Sequence, residues 1–290
     1  MNKIHTVTLN PAVDIDLIKQ QTYAGGKGIN VSRALKNLGI DNVITYTFAG
    51  GLRGAELCEL MEQAELRFET VRTRHPTRRT IIRQGNPEIK ESTKSYVDET
   101  ELNELVRKID SNISTGDYLV LAGSLPPGIM HGVYAHLTAR YKVMGINVIL
   151  DASQKKPLRY GVQAGPYMAK PNVAEWRMIT RIRNGIPRML QEALDKHNMI
   201  YAMAMQGEEG LTMATNGSIA HAIPPSIDVK CTVGCGDAVT AGFLYGKLNG
   251  FDDRDLARFA VACGTASAEK EGTELCTLDD AVRIVEKVMG

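Results

Sequence analysis

Short apolar runs alternate with stretches whose apolar positions recur every three or four residues, and this alternation continues along most of the chain. The runs at 3–9, 42–49, 117–123 and 146–152 predict strands. Two of them, DYLVLAG (117–123) and INVILDA (146–152), are nearly continuous, as strands buried on both faces require. The periodic stretches at 28–38, 54–64, 99–111 and 129–144 predict helices between them. The third opens on the capping sequence DETE and gathers Leu102, Leu105, Val106 and Ile109 on one face. Helices near 172–181 and 186–197 then precede a strand at 200–205, a QGEEG turn and a shorter strand. Three helices near 235–249, 252–269 and 277–289 close the chain. This order predicts an α/β fold, a parallel sheet covered on both sides, with ligands at the carboxyl ends of its strands.

One stretch interrupts the alternation. Residues 66–97 read as β-like with no helix and carry Arg67, Arg72, Arg74, Arg78, Arg79 and Arg83. A small antiparallel sheet set against the main one accounts for it, and most of its arginines are then an ordinary solvated face. No repeat, low-complexity tract or linker divides the 290 residues, so a single domain is expected.

Composition narrows the function classes. Lys and Arg number 34 against 33 Asp and Glu, for a net charge of +1, which argues against a nucleic-acid binder. No apolar run approaches the ~18 residues of a membrane span, and the N-terminal residues lack a signal-peptide core. The five cysteines form no CxxC pair, and no histidine cluster completes a zinc site with them. Reduced thiols and a cytoplasmic location are the expectation.

Two glycine-rich motifs carry the chemistry. TYAGGKGINVSRAL (22–35) suggests a phosphate loop, but it lacks the Gly-x-x-x-x-Gly-Lys-Ser/Thr spacing of a P-loop. CTVGCGDAVTAGF (231–243) makes a better anion site: small residues at Gly234, Cys235 and Gly236 let several N–H groups at a helix start face one space. Asp237 follows at the helix N-terminus. It is either an ordinary N-cap or a base for a hydroxyl that accepts a phosphoryl group. The helix N-terminus is expected to depress its pKa.

Six segments in register resemble the ribokinase-like (PfkB) sugar kinases: TLNPAVDID (8–16), AGGKGINVSRALKNLG (24–39), AGSLPPG (122–128), KPNVAE (170–175), TVGCGDAVTAGF (232–243) and ACGTASAEKEGTEL (262–275). More narrowly, the chain is similar to the branch that holds 1-phosphofructokinase, tagatose-6-phosphate kinase and the minor bacterial 6-phosphofructokinase. The resemblance implies a ribokinase-like three-layer α/β/α fold with a small β lid, drawn from segments near 11–24 and 66–97. It also implies ATP-dependent phosphorylation of a ketohexose phosphate, with fructose 1-phosphate or tagatose 6-phosphate favoured and fructose 6-phosphate compatible.

Carried over residue by residue, the first motif then seats the sugar through Gly25, Gly26 and Asn30, with Asp14 on its hydroxyls. Lys27 and Arg78 are the partners for the phosphate already on the sugar, and Ser124 lies near it. Arg79 would point to the opposite face of the strand. Lys170, Asn172, Glu175, Gly207 and Gly264 match nucleotide-side positions, and Asn172 and Glu175 would orient waters around Mg²⁺. Gly234, Cys235 and Gly236 would stabilise the transferred group, with Asp237 as base.

Plainer readings stand beside several of these: a turn residue for Asp14, a first-turn residue for Asn30, a turn hydroxyl for Ser124, helix capping for Asn172 and Glu175, and helix packing for Gly264. ATP and Mg²⁺ are the implied cofactors, with a monovalent cation left open. The implied partners are the sugar phosphate and ATP, without nucleic acid or membrane, and a homodimer through the lid is compatible.

Three departures from the family pattern stand out. Only eight residues (17–24) separate Asp16 from Gly25, too few for two five-residue strands and a turn, so the lid is expected to be curtailed. Met205 stands where relatives often have Ser or Thr, and Cys231 where a polar residue is commoner. Competing functions are a kinase for a non-phosphorylated sugar or nucleoside and a catalytically silent sugar-phosphate sensor.

Overall fold

The computed structural model describes residues 2–17, 19–83, 86–89, 95–180, 182 and 185–290. The chain enters the middle of the main sheet through β1 (Ile4–Thr8) and leaves it at once for a small second sheet, the hairpin of β2 (Ala12–Asp16) and β3 (Gln21–Gly25). It returns through α1 (Lys27–Asn37), β4 (Val43–Ala49), α2 (Gly51–Gln63) and β5 (Phe68–Arg72). The small sheet is completed by β6 (Arg78–Arg83) and β7 (Asn86–Ile89). There follow α3 (Glu99–Asp110), β8 (Tyr118–Gly123), α4 (Val133–Val143), β9 (Asn147–Ala152), α5 (Lys155–Gln163), β10 (Met168–Ala169), α6 (Val173–Ile179) and α7 (Ile186–His197). The last third holds β11 (Tyr201–Met205), β12 (Leu211–Ala214), β13 (Ile219–Ala222), α8 (Cys235–Leu248), α9 (Asp253–Ala268) and α10 (Leu278–Val285).

Among the described residues the main sheet has nine strands in the order β13-β12-β11-β10-β9-β8-β1-β4-β5. Its pairs are parallel except for β11–β12 and β12–β13 at one edge. The two continuous apolar runs explain themselves here. Tyr118, Val120 and Ala122 of β8 pack into one buried cluster with α1, α8 and α9, while Leu119 and Leu121 face another with α3, α4 and α7. Among the described residues, no helix is long and apolar enough to cross a membrane.

Several expectations change. β5 belongs to the main sheet, parallel to β4, because β4, α2 and β5 form an ordinary crossover unit. The stretch 66–97 therefore divides between two sheets, and residues 84, 85 and 90–94 of it lie outside the described residues, as does the 181 end of the helix expected over 172–181. The small sheet, ordered β3-β2-β6-β7, is mixed, since β2 and β6 run parallel. Helix α5 and the two-residue β10 had no expectation at all. Pro157 and Gly161 mask the helical signal of α5, yet the proline sits in the first turn, where no N–H is needed, and a Cβ at Gly161 would lie 2.7 Å from Leu150.

The expected lack of room in the lid is also corrected. Both five-residue strands are present because β2 begins at Ala12, inside the motif, and β3 ends on Gly25. The connection is left with residues 17–20, of which residue 18 lies outside the described residues and Gln20 has φ 54°.

Candidate active site

The loop leaving β1, the lid, the carboxyl ends of β8 and β9, and the start of α8 enclose a cavity of about 440 Å³. Asp14, Gly26, Lys27, Asn30, Arg78, Ser124, Glu175, Gly234, Gly236 and Asp237 all line it, from segments scattered over two hundred residues of sequence. A second cavity of about 560 Å³ lies on the other side of the α8 N-terminus, with Met205, Gly207, Cys235 and Gly264 in its wall. Thr232 lines both. Gly25, Lys170 and Asn172 do not line either one.

The α1 entry is built by close approach. Gly26 has φ +123°, a conformation other residues resist, and a Cβ there would lie 2.6 Å from Thr8 Cγ2. Thr8 Oγ1 accepts from the Ile29 amide at 3.0 Å, fixing the helix start against the end of β1. Gly25 acts one step removed, since a Cβ there would meet the Asp14 carboxyl group at 2.3 Å. It makes room for Asp14, which projects from β2 into the cavity.

On β6, Arg78, Thr80 and Ile82 face the cavity with the period of two expected of a strand, and Arg79 is not among the lining residues. Arg78 donates from Nε and Nη2 to Asn10 O at 3.3 and 3.1 Å and from Nη1 to Thr80 Oγ1 at 3.1 Å. Asn10 donates Nδ2 to Ser124 Oγ at 3.0 Å and accepts from Ser95 Oγ at 3.1 Å, tying the β1–lid loop to the segment after β8. Sequence reasoning passed over Asn10, although it stands inside a motif that pointed to the site.

At the start of α8, Gly234 is the N-cap in the left-handed region, φ +82°. A Cβ there would lie 2.8 Å from Leu275, so glycine is required twice over. Asp237 is the third residue of the helix and not its cap, which removes the plainer reading. The first-turn amides of Gly236 and Asp237 lack intrahelical acceptors. Burial pushes the Cys235 thiol up to about 12, and its backbone N–H donates to Thr232 O at 3.4 Å, so what Cys235 offers is apolar wall.

Asp237 is 4% exposed and accepts from Asn30 Nδ2 at 2.8 Å. The expected depression of its pKa is corrected: burial raises it to about 6, and the opposing pull of Lys27 is partly offset by the charge of Asp151. Desolvation of the carboxylate outweighs Lys27, the Asn30 hydrogen bond and Lys170 here.

Asp151, at the end of β9, was missed by the sequence reading. Its only local signal is an acidic residue closing an apolar strand. Lys27 Nζ donates to its Oδ1 at 2.7 Å and Lys170 Nζ lies 3.1 Å from its Oδ2. Burial would raise the Asp151 pKa, but Lys170 and then Lys27 outweigh it and bring it down to about 2. For Lys27, burial works against the charge, and Asp151 and Asp237 more than restore it. Lys27 is thus engaged beside Asp237, instead of reaching alone for the far end of a ligand.

Asn172 and Glu175 form a reciprocal capping box on α6. Glu175 N donates to Asn172 Oδ1 at 2.8 Å, and Asn172 N donates to Glu175 Oε2 at 2.9 Å. The capping role expected as the plainer reading is therefore real for both, and only Glu175 also reaches the cavity. Gly264 likewise serves helix packing, since a Cβ there would meet Val239 Cγ2 at 2.7 Å, and it lines the second cavity as well.

The sequence pattern of the pfkB family of carbohydrate kinases matches residues 5–280. The chain is 30% identical over 305 aligned residues to the 1-phosphofructokinase of Borreliella burgdorferi, covering 97% of this chain and 96% of that one. It is 26% identical to the ATP-dependent 6-phosphofructokinase isozyme 2 of Escherichia coli K12, with 98% of each covered. Among solved structures, the phosphofructokinase-2 of Escherichia coli in complex with substrates and products matches with a TM-score of 0.89 at 25% identity, over 98% of this chain and 99% of that one.

Proposed function

Because this chain belongs to the pfkB family of carbohydrate kinases, ATP-dependent enzymes, we propose that it phosphorylates a ketohexose phosphate, fructose 1-phosphate foremost, with Asp237 as the base. The observation that carries this reading is the meeting of two cavities at one helix N-terminus, with a buried carboxylate on the side that holds Arg78 and Asp14.

The sugar phosphate occupies the first cavity. Asp14 and Asn30 accept from and donate to its hydroxyls, and the Arg78 guanidinium, braced on Asn10 and Thr80, grips its phosphate. ATP lies across the α8 N-terminus with its base in the second cavity, whose wall is mostly apolar. The acceptor hydroxyl gives its proton to Asp237 while its oxygen bonds to the γ-phosphorus and the bond to ADP breaks. The first-turn amides of α8 and the Lys27 ammonium stabilise the charge on the transferred group. A carboxylate with pKa about 6 is ionised at neutral pH and still a better proton acceptor than an ordinary aspartate.

Glu175 is the residue that fits Mg²⁺. Its Oε2 is held by the Asn172 amide while the carboxylate lines the cavity, so it can hold waters of an ion carried by the phosphates. Among the described residues no three acidic, His or Cys side chains gather to bind a metal by themselves. Bound Mg²⁺ would neutralise phosphate charge.

An ADP-release assay over fructose 1-phosphate, fructose 6-phosphate, tagatose 6-phosphate and free fructose tests the assignment. The highest kcat/KM is expected for fructose 1-phosphate; turnover of free sugar alone would overturn the phosphorylated substrate. The same assay with and without potassium salts decides the monovalent cation. Arg78→Ala should raise KM for the sugar phosphate by roughly 10- to 100-fold, the worth of a lost charged hydrogen bond, with kcat changed far less. Gly25→Ala forces the Asp14 carboxyl aside and should also raise KM for the sugar phosphate while leaving KM for ATP unchanged. Equal effects on both substrates would count against the assignment of Asp14.

A further inference from the structure

Arg33 stands one turn beyond Asn30 on α1, and the reaction outlined above makes no use of it. Its guanidinium joins three parts of the molecule. Nη1 donates to Asn30 Oδ1 at 3.4 Å, and Nη2 donates to Thr273 O at 3.0 Å in the loop between α9 and α10. Its central carbon lies 5.5 Å from the centroid of the Tyr23 ring on β3. The spacing of three residues puts Asn30 and Arg33 on one face of α1, so the contact is built into the helix.

The consequence lies in the chemistry of the Asn30 amide. One end accepts and the other donates, and the two are nearly identical in shape. Facing Asp237 alone, the amide has two orientations: nitrogen toward an ionised carboxylate, or oxygen toward a protonated one. Arg33 can only donate, and it donates to the oxygen end. The nitrogen end is therefore left for Asp237, as observed at 2.8 Å.

We propose that Arg33 is a positioning residue that acts through Asn30, fixing the amide so that one oxygen of Asp237 is tied and the other is open to the acceptor hydroxyl. This rests on the reading of Asp237 as the base. The tie to Thr273 strengthens the arrangement, because the same loop supplies Leu275, against which Gly234 of the anion site packs. Arg33 thus braces both the base and the helix start that faces the transferred group.

The groups around the relay are known. Asp237 also feels Lys27, Asp151 and Lys170, and Arg33 faces Asp14, Tyr23, Asp237 itself and Glu274. A change at Arg33 leaves the first three in place. Loss of Arg33 frees the amide to turn, so that Asp237 in its protonated form gains an acceptor, and it also removes a positive charge that favours the ionised form. Both effects favour protonation, so the acid limb of kcat must move to higher pH.

The test uses Arg33→Met and Arg33→Lys, each in the native chain and in Asn30→Ala. Two readouts are taken: the pH profile of kcat with the sugar phosphate, and the titration of the Asp237 carboxyl carbon by ¹³C NMR without substrate, its resonance assigned by its loss in Asp237→Asn. Arg33→Met is expected to lower kcat about 10-fold or more at neutral pH, with a smaller rise in KM for the sugar phosphate, whose hydroxyls Asn30 also meets. The acid limb and the NMR titration should both move up by about half a pH unit or more. Arg33→Lys, which keeps one donor, should recover part of both. In the Asn30→Ala background Arg33→Met should produce only the smaller shift that loss of the Arg33 charge gives directly.

An unchanged titration in Arg33→Met, or a shift that persists in full without Asn30, overturns the proposal. If Arg33→Met does not fold, Arg33→Lys in the two backgrounds decides by the same criterion. Absence of sugar-phosphate turnover in the native chain would defeat the functional reading instead, and the NMR titration would still decide the relay.

Discussion

Asp237→Asn is expected to lower kcat by about 10³-fold or more while the sugar phosphate still binds within a few-fold of its native affinity. The two side chains have the same shape, and the substituted amide can present its oxygen to Asn30 Nδ2, so the cavity keeps its form. What disappears is the proton acceptor. Native kcat should fall on the acid side with an apparent pKa near the carboxyl value of about 6, and the residual activity of the variant should lack that limb.

The same substitution should stabilise the protein. Burial raises the Asp237 pKa from 3.8 to about 6, so the folded chain binds this proton more tightly than the unfolded one. Stability is therefore greatest below the unfolded value and is lost as pH rises from about 4 through about 6. At neutral pH the ionised, buried group costs on the order of 3 kcal/mol, and Asn removes that cost. Urea unfolding at pH 7.5 should show the variant above the native chain, with the difference shrinking toward pH 4. A variant that is inactive and also less stable at pH 7.5 would mean that the loss of activity reports damage to the fold. Near-native turnover would remove Asp237 from the base role altogether.

The sequence made legible what depends on neighbours close along the chain. The two-sided strands β8 and β9 show in their continuous apolar runs, and the capping box of α3 in its DETE opening. The glycines at 26 and 234 could be read as places of close backbone approach and open helix-start amides, and their positive φ adds a second need for glycine. Period-two alternation was enough to leave Arg79 aside once the family resemblance had picked out Arg78. What stayed hidden depends on distance. Asp151 gains its character from Lys27, 124 positions away, and nothing in its own segment announces that contact. The raised pKa of Asp237 is likewise a property of its burial, and the helix-end argument alone gave the wrong sign. The lid hairpin was misjudged because its strands lie inside the motifs taken to be loops, and α5 because proline and glycine were read only as breakers.

The contact that sequence missed carries the second large effect. Asp151→Asn should destabilise the protein at neutral pH by about 3–5 kcal/mol, the usual consequence of removing one member of a buried ionic group. Asp151 is 2% exposed and holds two ammonium groups, and the asparagine that replaces it offers no charge to either. The two arms are unequal. The Lys27 side chain is 33% exposed, so water screens part of its loss, whereas that of Lys170 is 2% exposed and must stay unpaired or give up its proton. Most of the cost therefore comes from Lys170.

The pH dependence follows from a lowered carboxyl value. The contribution of Asp151 is fully present above its ordinary value of 3.8 and is lost as pH falls toward about 2. The gap between native and variant chains in urea should thus be flat from pH 5 to 8 and close only in acid. Because the group is buried, the gap should also hardly change between roughly 0.05 and 0.5 M salt, unlike that of a surface pair. ATP should protect the variant more than the native chain, since its phosphates bring negative charge to the end of the cavity where Lys27 lies. A difference below about 1 kcal/mol at pH 7 would show that the two lysines find other partners and that Asp151 is not the centre of the cluster.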